Sequence, residues 1–445
     1  MRHRALPIWL LCFAAAVPAA AGQRLTLPAA MQRARESALE VAAAKSRTEG
    51  SGERARSARG YRLPSLRLEE NFIRTDSPAE VFALKLNQER FSFADFMVAD
   101  PNHPSALDTA ITRLELSLPI YTGGELSARI GQADAAAKAA GDSAEWAGNQ
   151  AAFEAAQAYV SLAQAQEFVG LLEQSRGTIQ GHVDQARAFV EQGMLVRSEL
   201  LRAEVELSRI DDMLEEARGN VRLASANLAF RLGADQGTEW ELAPLPVPPV
   251  PKEDLSGWLA SAENRSDLAS AQSLLRAGEL EVEVRRAAFL PRVGVVARGD
   301  LADDKLFGSH GSSTAIMAQA SVNLFAGGSD RAAIRAAEWN AKAGSEDVGR
   351  FREGVMLEVR QAWESATTSR ARELTAARAV AAATEAERIV SERFTTGVVK
   401  MLDVVDAATA RREAQTRELV TRAEANAAVL RLALVAGRRP ESALP

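Results

Sequence analysis

The sequence is short of the residues that build reactive sites. It has one cysteine, Cys12, and four histidines, His3, His103, His182 and His310, spread over 445 residues. A single cysteine excludes an intrachain disulfide framework, and histidines this far apart supply no metal-ligand spacing. His310 lies near Asp303 and Asp304, where an incidental solvated loop cluster is the simpler reading. Aromatic residues amount to 5%, thin for a thick globular core. No apolar run reaches the ~20 residues that a membrane-spanning helix requires. Positive charge is not in excess either. The formal net charge of -6 makes the chain a poor nucleic-acid binder.

What is present begins with Arg2 and Arg4, an apolar run from Ile8 to Val17, and small residues through Ala21. This order predicts a secretory signal peptide over residues 1–21, with cleavage near Gly22. Its removal would take Cys12 with it and move the formal charge from -6 to -8, since Arg2 and Arg4 leave together. Alanine is abundant in stretches such as Ala133 to Ala140, which suits slender helices packed at close range.

The dominant pattern is an internal repeat. Phe394 to Ala407 reads F-T-T-G-V-V-K-M-L-D-V-V-D-A, and Val190 to Ala203 reads V-E-Q-G-M-L-V-R-S-E-L-L-R-A, which places Gly193 and Gly397 204 residues apart. The same offset pairs Gln157 with Gln361, Tyr159 with Trp363, Tyr121-Thr122-Gly123-Gly124 with Phe325-Ala326-Gly327-Gly328, and Gly233 with Gly437. An offset held over more than a hundred residues indicates tandem duplication. The predicted organisation is a first repeat over 22–233, a proline-rich extended linker over 234–254, a second repeat over 255–437 and a tail over 438–445.

Each repeat reads as a shorter helix, a strand pair, a very long helix, a glycine turn and a returning helix. The shorter helices run from about Thr26 to Tyr61 and Leu255 to Ala288, closed by Leu63-Pro64 and Leu290-Pro291. Leu66, Leu68 and Phe72 then alternate with Arg67, Glu69 and Asn71, and Leu114, Leu116 and Leu118 with Arg113, Glu115 and Ser117. Val293, Val295, Ala297 and Leu301 alternate likewise, as do Ile316, Ala318, Ala320, Val322 and Leu324. Four strands with one apolar and one polar face match the dyad signature of a transmembrane β-barrel. The first strand pair encloses a loop longer than the second by 23 residues, apolar enough for a lid, a rim or local filler. The long helix continues to about Gln192, or ~105 Å at 1.5 Å per residue. In the returning helix Leu200, Ala203, Leu207, Ile210, Leu214, Ala217, Val221, Ala224 and Leu228 form a coiled-coil seam. Its counterpart is interrupted by Arg411 and Glu418, so the two hairpins are expected to pack differently.

Enzymatic constellations are missing. Asp211-Asp212 and Glu215-Glu216 fit the wet face of a coiled coil, and Gly327-Gly328 lacks a phosphate-loop continuation. No catalytic, cofactor-binding or metal-ligating residue is predicted.

The duplicated hairpins with Gly193 and Gly397, the Gly-x5-Asp-x2-Asp pattern ending in Asp403 and Asp406, the Leu-Pro before each strand pair and the aromatic-x-Gly-Gly after it resemble the TolC family of outer-membrane efflux proteins. The resemblance covers essentially the whole chain beyond the signal. It implies a homotrimer in which three chains of four strands close a 12-stranded barrel in outer-membrane lipid, while the helices form a periplasmic α-barrel. It also implies a passive exit duct partnered by a periplasmic adaptor and an inner-membrane pump. Departures are modest: Asn323 stands where Pro119 does in the first copy, and Glu199 replaces the aspartate matching Asp403. The turns read Gln192-Gly193-Met194 and Thr396-Gly397-Val398. These six residues are the expected adaptor-docking tips. Asp403 and Asp406, with Glu199 as a peripheral acid or a partner of Arg202 or Arg197, are the expected constriction. The competing reading, a periplasmic coiled-coil scaffold without a pore, leaves the four strands unused. The cargo is not legible.

Overall fold

A computed structural model describes residues 24–98, 100–246 and 253–443. The predicted signal and part of the proline-rich linker lie outside them. Two very long helices organise the chain. Helices α1 (Leu27–Ser37) and α2 (Leu39–Gly60) lead into strand β1 (Ser65–Thr75). Helices α3 (Pro78–Asn87) and α4 (Ala94–Val98) follow, then strand β2 (Leu107–Tyr121) and the long helix α5 (Glu125–Glu191) with its return, α6 (Arg197–Arg231). The second half runs through α7 (Leu255–Ala262), α8 (Ser266–Arg286), β3 (Arg292–Asp303), β4 (Gly311–Ser321), α9 (Ser329–Thr395) and α10 (Met401–Val435). Both long helices have 67 residues and both returning helices 35. Their ends keep the offset of Gly193 and Gly397. Among the described residues, no helix is long and apolar enough to cross a membrane.

Three sequence expectations need correction. The shorter helix of each half is broken, at Ala38 in the first and between Ala262 and Ser266 in the second. Neither break contains a proline or glycine, the usual causes. Tertiary contact explains them. Gly233, just past the end of α6, approaches the Ser37 carbonyl so closely that a Cβ would lie 3.0 Å from that oxygen. Gly437, past α10, meets Arg265 in the same way, with its would-be Cβ 2.9 Å from Arg265 Cγ. The returning helices therefore abut the breaks, and two shorter helices together line one long one. Third, β4 ends at Ser321, although the alternation continues to Leu324. Leu324 and Phe325 are left 88% and 85% exposed.

The sheet order is β1-β2-β3-β4, antiparallel throughout. Register puts Leu66, Leu116, Ala297 and Ile316 in one row, and Leu68, Leu114, Gly299 and Thr314 in the next. On the opposite face, Arg67, Glu115 and Arg298 align, and so do Glu69, Arg113 and Asp300. One face is therefore apolar and the other carries balanced charge, as the period of two requires. The apolar face is uncovered over most of its length: Leu66, Leu68 and Ile316 are 66%, 64% and 82% exposed.

Helix packing supplies the core. Near mid-length, Met31 and Ala34 of α1 pack with Ala152, Tyr159 and Leu162 of α5, Leu228 of α6 and Leu430 of α10. The Tyr159 hydroxyl lies 2.9 Å from the Leu25 carbonyl and 2.7 Å from the Ala243 carbonyl, tying the start of the first half to the linker beside the Leu25–Leu242 bridge. Burial pushes its pKa up to about 12. Its counterpart Trp363 buries an indole nitrogen with no partner among the described residues.

Candidate functional site

The far end of the helical part is a pair of adjoining hairpin tips, built by the same backbone device twice. Gln192 and Thr396 end the long helices, and Gly193 (φ 70°) and Gly397 (φ 74°) turn the chain. Met194 N–H then donates to the Phe189 carbonyl and Gly193 N–H to Val190. In the second tip Val398 N–H donates to Arg393 and Gly397 N–H to Phe394. This 6→1 and 5→2 pattern is the Schellman motif, which needs a left-handed residue that only glycine adopts without strain. A Cβ at either glycine would meet nothing within 4 Å. Space is open there. Conformation alone requires the glycine.

All six predicted tip residues are exposed, with Met194 62% and Val398 71% accessible. Apolar side chains open to solvent at an apex are anomalous for a solvated turn. Behind them the hairpins lock together. The Phe189 and Phe394 rings sit 5.8 Å apart, and Ile179, Val183, Ala203, Ile210, Met401 and Val404 are buried around them. Burying each large aliphatic side chain contributes roughly 1.5–3 kcal/mol, so the tip is a packed unit.

Asp403 and Asp406 lie in the first two turns of α10, and both are exposed. The Asp403 carboxylate accepts the Lys400 backbone N–H at 2.9 Å, so it also caps its own helix. Asp406 makes no hydrogen bond or ion pair among the described residues. Glu199 is half-buried, with one carboxylate oxygen shut off and unpartnered. Among the described residues it pairs with neither Arg202 nor Arg197, so of the two expected roles the peripheral acid is the one left open. By the repeat offset Arg202 occupies the place of Asp406, so the two tips differ in charge.

Sequence reasoning missed the ionic cluster behind the tip. Arg411 of α10 lies 2.7 Å from Glu387 of α9, and Arg412 lies 2.8 Å from Glu206 of α6. Glu387 and Glu206 are both only 4% exposed. The signal was available: Arg411 stands at the seam position held by Leu207 in the first hairpin. A cation in a seam implies a buried acid facing it. The wet-face assignment holds, since Asp211 pairs with Arg176 at 2.6 Å and Glu215 with Arg218 at 2.9 Å.

The chain is similar to outer membrane proteins over most of its length. The family profile described as "Outer membrane efflux protein" matches residues 30–234 and 260–438. The alkaline protease secretion protein AprF of Pseudomonas aeruginosa is 28% identical over 191 residues. That alignment covers 41% of this chain and 39% of AprF, so the chain spans about two fifths of that relative. A membrane protein from Pseudomonas aeruginosa superposes with a TM-score of 0.79 at 18% identity, covering 92% of each chain. The outer membrane protein VceC of Vibrio cholerae gives 0.76 at 19% identity, covering 93% of this chain and 96% of its own. These two likenesses establish the fold, and the profile establishes kinship: the chain belongs to the outer membrane efflux protein family.

Proposed function

We propose that the chain is the outer-membrane exit duct of a tripartite export system, passive in itself, that works as a homotrimer with a periplasmic adaptor and an inner-membrane pump. One observation carries this reading. The four-stranded sheet exposes an apolar face and, among the described residues, leaves the outer edges of β1 and β4 unpaired. A bilayer tolerates strands only in closed barrels, because unpaired backbone groups in hydrocarbon cost several kcal/mol each. Four strands are too few to close, and at least about eight are needed. Three chains pooling their strands make twelve.

Within that assembly the exposed tips around Gln192, Gly193, Met194, Thr396, Gly397 and Val398 are the adaptor contact. Asp403 and Asp406, repeated by threefold symmetry, form an acidic ring at the narrow end, with Glu199 beside it. Like charges around an axis repel one another and attract cations. Native mass spectrometry of the protein in mild detergent tests the assembly: a trimer is expected. A stable monomer with folded strands, or extraction with soluble periplasmic proteins, would favour the scaffold reading instead.

A further inference from the structure

The described part of the connection between β1 and β2, residues 76–98 and 100–106, folds back across one end of the sheet, and the face it covers can be read from the register. Thr109 is four residues from Arg113 along β2, Ala302 is two from Asp300 along β3, and Gly311 is paired with Ala302. All three therefore point to the charged face. All three are buried, although that face is otherwise open in the protomer. What covers them is one short segment, Asn87 to Arg90. Gln88, itself fully buried, donates from Nε2 to Thr109 Oγ1 at 2.7 Å and to the Asp108 carbonyl at 3.0 Å. A Cβ at Gly311 would fall on the Asn87 carbonyl oxygen and 2.8 Å from the Gln88 carbonyl carbon. Glu89 accepts the Ser312 backbone N–H at 3.2 Å, and Arg90 pairs with both Asp303 and Asp304 at 2.7 Å. Glu89 has φ 54°, a left-handed conformation uncommon for a residue with a side chain. The turn it makes sends Gln88 and Arg90 toward different strands.

The covering segment is a built unit. Phe82 and Phe91 pack edge to face at 5.1 Å, with Phe93 6.4 Å from Phe91. Val81 and Leu84 are buried, and Lys85 pairs with Asp95 at 2.8 Å. The connection between β3 and β4, residues 304–310, lies toward the other face, where Phe307 N–H donates at 3.1 Å to the carboxylate of Glu70, a residue in step with Leu66 and Leu68. Small residues at three adjoining positions, Thr109, Ala302 and Gly311, leave the space in which Asn87 and Gln88 lie.

We infer that residues 76–98 and 100–106 form an inward-folded lid that narrows the outer mouth of the pore and sets the largest solute that can leave. The inference rests on the reading that the charged face lines a pore shared by three chains. Three lids then converge on one axis. A lid held through Arg90 and one buried glutamine is displaced by changes at its landing site that leave the strands intact.

The test uses the full chain reconstituted in planar bilayers, with trimer formation checked first by heat-modifiable migration. Three variants are compared with the unaltered protein: residues 78–104 replaced by a short Gly-Ser turn, Gly311→Leu, and Arg90→Glu. Each is expected to raise single-channel conductance, by about twofold or more for the shortened loop, and to admit larger neutral polymers. Trimeric channels with unchanged conductance and polymer cut-off in all three variants would overturn the lid and leave the pore intact. Absence of channels from the unaltered protein and every variant would overturn the pore reading, and the lid with it.

Discussion

The guanidinium of Arg411 on α10 lies 2.7 Å from the carboxylate of Glu387 on α9, a buried ionic contact behind the tip whose positive charge is also felt by His182 of α5. Burial first, and the Arg411 charge second, hold the His182 ring below the usual imidazole range. Glu387 moves the other way, raised by burial and only partly brought back by Arg411.

The signs of these shifts give opposite pH dependences. An unfolded histidine takes up its proton near about pH 6.5, whereas His182 in the fold resists it, so the stability it contributes above that pH is lost as pH falls through its lowered value. Glu387 contributes below the ordinary glutamate range, and that contribution is lost as pH rises through its raised value. His182→Gln removes the first effect and leaves the second. Between about pH 7.5 and about pH 5.5, the unaltered protein should lose more unfolding temperature than the variant does. Equal losses would place the titration elsewhere.

The acidic ring gives a second prediction. Asp403→Asn with Asp406→Asn should reduce cation selectivity and weaken block by trivalent cations in planar bilayers. Trimer stability should change little, because asparagine at 403 still offers an oxygen to the Lys400 N–H. Asp403→Ala removes that acceptor and should destabilise by about 1 kcal/mol, the ordinary range for a lost cap. Unchanged selectivity and block in the double variant would mean that the acids face away from the axis.

At the tips, Met194→Asp with Val398→Asp should abolish export while the trimer still reaches the outer membrane. Both side chains are largely exposed and contribute little to the protomer core, so the loss would report on a partner. Export that persists in the double variant would assign adaptor contact to other residues.

Two glycines in the same motif should respond differently to alanine. At Gly397 the added methyl meets open space, and only the left-handed backbone is strained, by about 1–2 kcal/mol. At Gly437 the methyl also presses on Arg265, whose Cα lies 3.2 Å away. That overpacking adds roughly 1–3 kcal/mol. Thermal unfolding should therefore show the larger drop for Gly437→Ala, and equal drops would mean that Arg265 yields freely.

Periodicity made most of the fold legible. The long helices, the glycine turns and the two faces of the strands follow from residue spacing, because solvent exposure repeats with the local geometry. The interruption of the second seam at Arg411 was visible too, although its partner Glu387 was not, since pairing across helices depends on rotation that spacing along one helix leaves open. The breaks at Ala38 and Arg265 escaped because their cause sits far away along the chain, at Gly233 and Gly437. The end of β4 escaped for a related reason. Alternation continues to Leu324, but its neighbour β3 starts at Arg292, which pairs with Ser321, and a strand lasts only as long as its partner. At the candidate site, the tip residues and acids were located by the repeat, while the capping role of Asp403 required coordinates.

The equal lengths of α5 and α9 act as a ruler. Inserting one residue into either would push its apex about 1.5 Å further out and swing it through about 100°. The Phe189–Phe394 contact would then lose its partner face. Side chains along the shafts can drift so long as the residue count holds, so gains or losses of residues in one shaft should persist only when the other changes by the same number.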